Sequence, residues 1–465
     1  MAVGVCYPDT YAVEETFQLL KIPWEWYFSG ESYEVVIAFR DDVQDFNGPV
    51  IDLTPYDFFR KIRDLLTNGR AHLHEPHCEI LIDELRTQLK EYILLVEIPP
   101  VPWGHPYMVA LTHDVDVTSV RECRFSTSGY AAYQCFRQKN IRAGIRLLLG
   151  GYGFGADPWA LFDHWMTFER RMGVRSTFFF VPRKDDPGIS AHPYRAVHYD
   201  VNHDKLKSLT KGGWEVGVHG IDNWTDVEQG KQERSAIWGN TGGNRTHWLM
   251  FDKKSWQVLD EAGYTYDTTF GYNDDAGFRA GTLQAYRPEF SSRLLELPLH
   301  IQDLGLFGKF CWAQSETGWE RTPCLHLDEP GARRHCDRIF DYAMKYGGAV
   351  TILWHYENLT PPRNWSETYS YLIKRALADS AWVTTAGNVV EWFEGRRNVR
   401  ITSTNENQNV TICTEGEFPA GPTHSLTMRI YVTDKRHVSI NTEYIRTSEY
   451  IDIKLNKKII SVTFV

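Results

Sequence analysis

The chain has 465 residues, which is more than one ordinary domain and enough for two or three. Hydrophobic residues make up 42% and charged residues 24%, a composition typical of globular proteins. The net charge of −10 disfavours non-specific binding to nucleic acid or to an anionic membrane, so we expect no nucleic-acid partner.

The sequence carries no sign of export. No apolar stretch approaches the ~18 residues that span a bilayer. Met1–Phe17 lacks the basic and apolar regions of a secretory signal and contains three acidic residues instead. The eight cysteines are scattered without a CxxC pair, which is typical of reduced thiols. We therefore expect a cytoplasmic protein without a transmembrane segment.

Residues 1–100 combine short strand and helix patterns. Tyr33–Ala38 is apolar except for Glu34, as expected of a strand, and Glu79–Leu95 has apolar residues close to helical spacing. The proline-rich stretch Ile98–Pro102 then interrupts regular structure. We predict a small α/β accessory domain over residues 1–100.

His72, His74, His77 and Cys78 lie close together within this region. Histidine and cysteine are metal ligands, but this spacing matches none of the usual structural zinc frameworks. The pattern favours ordinary polar residues over a metal site.

From residue 105 to residue 398 strand patterns alternate with helix patterns. The predicted strands are Tyr107–Thr112, Ser176–Val181, Glu215–His219, Tyr264–Thr268, Leu294–Leu299 and Ala349–His355. The predicted helices are Pro158–Met172, Asp204–Lys211, Phe251–Ala262, Gly331–Tyr346 and Ser366–Asp379. Apolar strands that alternate with helices indicate a parallel sheet covered by helices. The fold class is therefore α/β, and residues 105–398 have the right length for a (β/α) barrel, complete or distorted.

The composition changes near Asn398, where β-prone segments rich in Thr and Val begin and no helical period is present. These segments are Val399–Thr402, Val410–Cys413, Ser425–Val432, His437–Ile440 and Ile451–Val465. We predict that residues 399–465 form a small all-β appendage.

Titratable side chains recur at the carboxyl ends of the predicted barrel strands, where the active sites of such barrels gather. Asp114 and Asp116 follow the first strand. The other strand-end residues are His219, Asp267, His300 and His355. Of two neighbouring carboxylates, one can hold a metal while the other takes a proton. The alternative is a pair that caps a turn.

Two more positions, Arg245 and His247, extend this set. A neutral imidazole is a standard Zn²⁺ ligand, and His219 with Asp116 nearby predicts a metal site. Arg245 could pair with a carboxylate and keep it ionised, in a loop that should return to the barrel top. His247, two residues later, could be a third ligand. A surface arginine and a buried histidine would explain these two residues equally well.

Four residues have weaker patterns. Asp222 and Asn223 could add or orient a metal ligand, although capping of the turn is favoured. Arg279 lies between two glycines and could hydrogen-bond a substrate, and a plain turn is the alternative. We take Arg279 and Asp267 as candidate substrate-binding residues.

The order of these segments resembles that of the polysaccharide deacetylases with a NodB-like domain, carbohydrate esterase family 4, over residues 105–398. Thr112-His113-Asp114-Val115-Asp116 is similar to the first motif of the family, in an Asp-Xaa-Asp variant. Arg245 falls at the place of the family's arginine motif. The other segments that carry the resemblance are Ser176–Val181, Glu215–His219, Tyr266–Thr268 and Leu353–His355.

The resemblance implies a role for each matching residue. Asp114 would be the general base, Asp116 and His219 metal ligands, and His355 the general acid. Arg245 would orient Asp114.

One position departs from the family. Another histidine usually lies four residues after the first, where this chain has Asn223. His247 is the candidate replacement, because a subgroup has an Arg-Xaa-His-aromatic-Leu segment similar to Arg245–Leu249.

The implied function is a metal-dependent hydrolase, most simply with Zn²⁺, that removes an N-acetyl group from an amino sugar. The substrate would be a carbohydrate, either a surface glycan or its precursor made in the cytoplasm. Two alternatives stay open. Asn223 motivates a catalytically inactive, carbohydrate-binding relative, and a hydrolase of a small amide is possible on the same fold because a fold does not determine its substrate.

Overall fold

The computed structural model describes residues 3–237, 241–315, 318–406, 409–416, 425–432, 438–456 and 458–464. His437 and Val465, at the ends of two predicted tail strands, lie outside the described residues, and so does residue 457.

The first strands are β1 Val3–Val5, β2 Glu25–Trp26, β3 Val35–Ala38, β4 Val50–Asp52, β5 Val96–Glu97, β6 Met108–Val115, β7 Thr177–Phe180, β8 Glu215–Gly220, β9 Gly243–Thr246, β10 Tyr266–Asp267, β11 Leu295–Glu296 and β12 Ile301–Gln302. The later strands are β13 Phe310–Ser315, β14 Gly318–Pro323, β15 Ala349–Leu353, β16 Trp382–Thr384, β17 Arg400–Glu406, β18 Asn409–Glu415, β19 Leu426–Tyr431, β20 Val438–Ile440, β21 Tyr444–Arg446, β22 Tyr450–Leu455 and β23 Ile459–Phe464.

The helices are α1 Thr10–Leu20, α2 Phe58–Asn68, α3 His77–Leu89, α4 Arg124–Ala132, α5 Ile141–Gly151, α6 Phe162–Met172, α7 His203–Lys211, α8 Val227–Ala236, α9 Ser255–Glu261, α10 Asp303–Phe307, α11 Glu329–Tyr346, α12 Ser366–Ala378 and α13 Ala386–Asn398. Among the described residues, none of these helices has the length and apolar character needed to cross a membrane.

A parallel sheet forms the centre of the molecule. Its strand order is β11-β10-β9-β8-β7-β6-β15-β12, and β16 also pairs with β6. Every one of these ladders is parallel, and all eight residues of the central strand β6 are buried. Helices in the connections cover the sheet, as parallel strands require. The predicted α/β class and distorted (β/α) barrel are confirmed.

One predicted loop of the barrel is a strand. Gly243–Thr246, which carries Arg245, forms β9 between β8 and β10. The sequence hides this strand because its buried residues Asn244 and Arg245 are polar and are satisfied by hydrogen bonds to polar partners. The prediction that Arg245 lies in a loop was therefore wrong.

Two smaller β regions flank the barrel. At the N-terminus β2, β1, β3 and β4 form a parallel sheet. At the C-terminus β17, β18, β23 and β20 form one sheet, and β21, β22, β19 and β5 form another. The predicted all-β appendage is confirmed, with one strand, β5, contributed by the chain just before the barrel.

The N-terminal sheet and the barrel share a single apolar core. One buried cluster contains Val5 and Phe59 together with Val109 and Trp354 of the barrel. The helices α1, α2 and α3 also contribute buried apolar side chains to this cluster.

A buried ion pair joins the first helix to the last barrel helix. Arg397 donates two hydrogen bonds to the Glu15 carboxylate, at 2.6 and 2.8 Å, and both side chains are less than a tenth exposed. Removal of one partner of such a pair leaves a buried charge without compensation.

We therefore expect Arg397→Met to lower the free energy of unfolding by about 3 kcal/mol, because Glu15 loses its partner. Lys231→Met, which breaks the exposed Lys231–Glu228 pair, is the control and should change it by less than about 1 kcal/mol. Chemical denaturation measures both. Equal effects of the two variants would contradict the assignment of Glu15 as a buried charge.

Candidate active site

Three side chains converge where neighbouring strands end. Asp116 follows β6, His219 lies in β8, and His247 follows β9. The carboxyl ends of these parallel strands lie at the same edge of the sheet. Asp116 Oδ1 lies 3.3 Å from His219 Nε2 and 3.4 Å from His247 Nε2. The ligand atoms of the three residues all lie within 4.8 Å of one another, so the group could hold a metal ion.

The hydrogen bonds and pKa values of these three side chains are compatible with metal binding. His219 Nδ1 donates to the Arg245 carbonyl oxygen at 2.9 Å, which leaves its Nε2 facing Asp116. Burial lowers the pKa of His247 well below its usual value, and Asp116 only partly opposes this effect. Burial raises the pKa of Asp116, but the facing imidazoles of His247, His219 and His355 lower it by more. The pKa of Asp116 therefore lies well below its usual range. The group is therefore a carboxylate facing imidazole nitrogens.

Asp116 Oδ1 is itself without a hydrogen-bond partner among the described residues, although the atom is buried. An unpaired buried carboxylate oxygen is costly unless another group neutralises it. The donor set of one carboxylate oxygen and two imidazole nitrogens is one that Zn²⁺ accepts. The residues present therefore fit a divalent metal.

Asp114 is held beside this group by Arg245. Arg245 Nη1 donates to Asp114 Oδ1 at 3.3 Å and to Thr112 Oγ1 at 2.7 Å. The guanidinium is fixed from its other side by the carbonyl and hydroxyl oxygens of Thr268, each at 3.0 Å. Asp114 Oδ2 lies 3.6 Å from His219 Nε2. One carboxylate oxygen is thus occupied by Arg245, and the other faces the site.

His355 lies on the opposite side of Asp116, with its Nε2 3.8 Å from Asp116 Oδ2. Its Nδ1 donates to Asp303 Oδ1 at 2.7 Å, and its backbone N–H donates to Asp303 Oδ2 at 2.8 Å. Burial lowers the pKa of His355, but the charge and hydrogen bond of Asp303 raise it to about 10. The imidazole is therefore protonated at neutral pH and holds a proton on Nε2.

The sequence interpretation missed Asp303. This residue directly follows the two-residue strand β12, and Asn358 also donates to it at 2.6 Å. A carboxylate after a strand was the only signal for Asp303. The strand is too short to be recognised by its pattern.

The residues considered as alternatives to His247 lie outside the Asp116 group. Asn223 is fully buried and donates to Asn244 Oδ1 at 2.6 Å and to Tyr264 Oη at 3.1 Å. Asp222 pairs with Arg183 at 2.7 Å. Both residues therefore stabilise the loop after β8, and His247 lies where a third ligand is needed.

The two predicted substrate-binding residues do not join this group. Asp267 is fully buried and accepts hydrogen bonds from Asn244 at 2.8 Å and Thr269 at 2.6 Å. Arg279 stacks on Phe270 at 4.3 Å and lines a separate cavity of 370 Å³. Substrate contact by either residue is not supported by this geometry.

His300 also lies away from the site. Its Nε2 donates to the Thr282 carbonyl oxygen at 3.0 Å, and its Nδ1 accepts from the Thr351 N–H at 3.1 Å. Burial lowers its pKa to about 4. His300 therefore bridges backbone groups, and its position after a predicted strand misled the sequence interpretation.

The N-terminal histidines meet the barrel at Asp275. His72 Nδ1 lies 3.0 Å and His74 Nε2 3.7 Å from Asp275 Oδ2, and His335 completes the cluster. The His335 ring, however, donates to a backbone carbonyl at 2.9 Å and accepts from Arg338 at 3.0 Å. Because both ring nitrogens are engaged, this cluster is a polar contact between the two parts of the chain.

An aromatic wall adjoins the metal-ligand candidates. It consists of Trp248, Trp312 and His192. The two indole rings are parallel within 6°, with centroids 6.5 Å apart, and the imidazole lies 5.0 and 4.6 Å from them. Trp248 directly follows His247 and is held with a positive φ of 64°. A backbone in this region is uncommon for a bulky residue and fixes the indole at the rim of the site.

No protein-family model matches the sequence, and no curated protein matches it. Among solved structures, the chain is similar to a protein described as a polysaccharide deacetylase from Mycobacterium smegmatis, at 16% identity and a TM-score of 0.40 over 66% of this chain and 99% of that one. It is also similar to one so described from Pseudomonas aeruginosa PAO1, at 14% identity and a TM-score of 0.40 over 63% and 93%.

A third similar structure is a Puue allantoinase, at 12% identity and a TM-score of 0.39 over 63% and 92%. Two of these three structures are described as members of the family that the motifs resemble. Because these identities and TM-scores are low, the likeness says nothing about the activity of this chain. Any conclusion about activity has to rest on the geometry of the site.

We expect Asp303→Asn to lower the pKa of His355, because the charge that offsets burial is lost while the burial remains. At about pH 8 the imidazole should be protonated in the wild-type protein and neutral in the variant. Nitrogen NMR of chelator-treated protein, with His355→Gln to assign the signal, measures this. The His113 signal should not change and is the control. A His355 signal that is the same in both proteins would contradict the role of Asp303.

Proposed function

We propose that the protein is a divalent-metal-dependent hydrolase that removes an N-acetyl group from an amino sugar of a glycan or glycan precursor. The observation that carries the proposal is the unpaired, buried Oδ1 of Asp116, which faces the Nε2 atoms of His219 and His247. The same site has a carboxylate on one side and a protonated imidazole on the other.

Asp116, His219 and His247 would hold the metal. One carboxylate oxygen and two imidazole nitrogens suit Zn²⁺, which is the ion that we favour. When bound there, such an ion polarises a carbonyl oxygen and lowers the pKa of water. The second nitrogen of His219 donates to a backbone carbonyl, the kind of contact that fixes the ring of a ligand histidine.

Asp114 would act as the general base. Its Oδ2 faces the proposed ligands, and its Oδ1 is engaged by Arg245. In this position Oδ2 can take the proton of a water that attacks the acetyl carbonyl carbon. Arg245 stays with Oδ1 and keeps the carboxylate in place, so it is a positioning residue.

His355 would act as the general acid. Asp303 holds the Nδ1 proton, and Nε2 faces the site with its own proton. When the bond between the acetyl carbon and the nitrogen breaks, the electron pair goes to the nitrogen and Nε2 supplies its proton. The products are acetate and a free amino sugar.

The aromatic wall supports a sugar as substrate. Trp248 and Trp312 are half-buried and parallel, so they offer flat apolar faces at the rim of the site. A pyranose ring has apolar C–H faces that can lie on such a surface, whereas a compact amide would leave the wall uncovered. The wall therefore favours an N-acetylated sugar over a small amide.

We expect Asp116→Ala to lose both metal and activity, and Asp114→Asn to keep the metal while kcat falls about 10²- to 10⁴-fold, because only the base is lost. Elemental analysis measures the metal, and acetate release from N-acetylglucosamine oligomers measures the activity. Asp200→Asn, a neutralised carboxylate that is 80% exposed, is the control and should change neither.

Metal content unaffected by both Asp116→Ala and His219→Ala would refute the ligand assignment. A wild-type protein that binds metal and sugar but releases no acetate would instead be a carbohydrate-binding relative without activity.

A further inference from the structure

A helical insert, residues 124–154, follows the strand end that carries Asp116. It consists of α4, a π-helical turn over Tyr133–Arg137, and α5. Large apolar side chains cover its outer surface. Phe136 and Phe154 are 83% and 82% exposed, and Ile141, Ile145, Leu149 and Tyr152 are also exposed. Monomeric proteins rarely expose a contiguous apolar patch of this kind without a partner.

Helix α5 buries its small residues and exposes its large aliphatic residues, with the exception of Leu147, which is buried. Gly144, Gly150 and Gly151 are buried, and a side chain at Gly144 would collide with Cys135 of the π-helical turn. The glycines therefore let α5 lie directly against its neighbours. The large aliphatic residues are left on the opposite face, whereas a helix that faces water has polar residues there.

The insert is also basic in an acidic chain. Residues 123–156 contain five Lys or Arg residues and no Asp or Glu, although the whole chain has a net charge of −10. Arg137, Lys139, Arg142 and Arg146 are all exposed. Basic residues around exposed large apolar side chains are the pattern of helices that lie in the interface of an anionic membrane.

The insert is anchored to the loop that follows His355. Val120, at its base, comes four residues after Asp116. Gln134 of the insert donates to the Pro362 carbonyl oxygen at 3.0 Å, and Trp159, in the segment after the insert, donates to that of Pro361 at 3.1 Å. Both prolines belong to the loop that follows His355. A surface that covers the insert would therefore lie near the loop that follows His355.

We propose that the helical insert docks on the surface of an anionic lipid bilayer, with its apolar residues among the lipids and its basic residues at the headgroups. The chain would lie on the membrane without spanning it. A second copy of the chain fits less well, because two inserts of the same positive charge repel each other. The whole-chain charge disfavours such binding, but contact is made by the insert, whose local charge has the opposite sign.

The test is flotation of the full-length protein with vesicles of phosphatidylcholine, or of phosphatidylcholine mixed with phosphatidylglycerol. We expect binding to the mixed vesicles that falls as salt is raised, and little binding to phosphatidylcholine alone. Arg142→Glu should weaken binding at least about fivefold through the lost positive charge. Phe136→Ser and Leu149→Gln should weaken it through lost apolar contact.

The matched controls are Lys374→Glu, on the exposed surface of α12, and Phe28→Ser, which is 65% exposed in the N-terminal region. Neither should change binding. Absence of binding by the wild-type protein, or equal loss in insert and control variants, would overturn the proposal. A dimer in light scattering that Phe136→Ser converts to monomer would also overturn it, in favour of a second copy. Vesicle binding needs no turnover, so the result does not depend on the proposed activity.

Discussion

The parallel pairing of β6 with its neighbours is the constraint on which the site depends. Because β6, β8 and β9 run in the same direction, the residues at their carboxyl ends lie at one edge of the sheet. Asp116, His219 and His247 meet there although they are distant in sequence. The strand β15, on the other side of β6, brings His355 to the same edge. The parallel pairing of these strands thus brings the proposed ligands together with the proposed base and acid.

Neighbouring groups place chemically similar residues in different surroundings. Asp114 and Asp116 are two residues apart on one strand end, yet Arg245 binds the first while imidazoles surround the second. His247 and His355 differ in the same way, because burial lowers the pKa of one and Asp303 raises the pKa of the other. An imidazole with a lowered pKa and one with a raised pKa therefore both lie next to Asp116.

The barrel and most candidate residues could be predicted from the sequence, since apolar strands and strand-end carboxylates and histidines have local patterns. Other features depend on contacts that no local pattern contains. β9 is a strand because β8 and β10 pair with it, although its residues are polar. Asp303 matters because the fold places it under His355, and Asp267 and His300 share the strand-end pattern yet are buried among backbone and side-chain partners.

The most direct test of this account is anomalous X-ray diffraction from crystals grown with Zn²⁺. The proposed site predicts a metal peak at about 2.0–2.2 Å from a carboxylate oxygen of Asp116 and from the Nε2 atoms of His219 and His247. Asp114 should lie beside that peak without replacing any of the three ligands. A peak bound only at His74 and Asp275, or no peak near Asp116, would contradict the proposed metal centre.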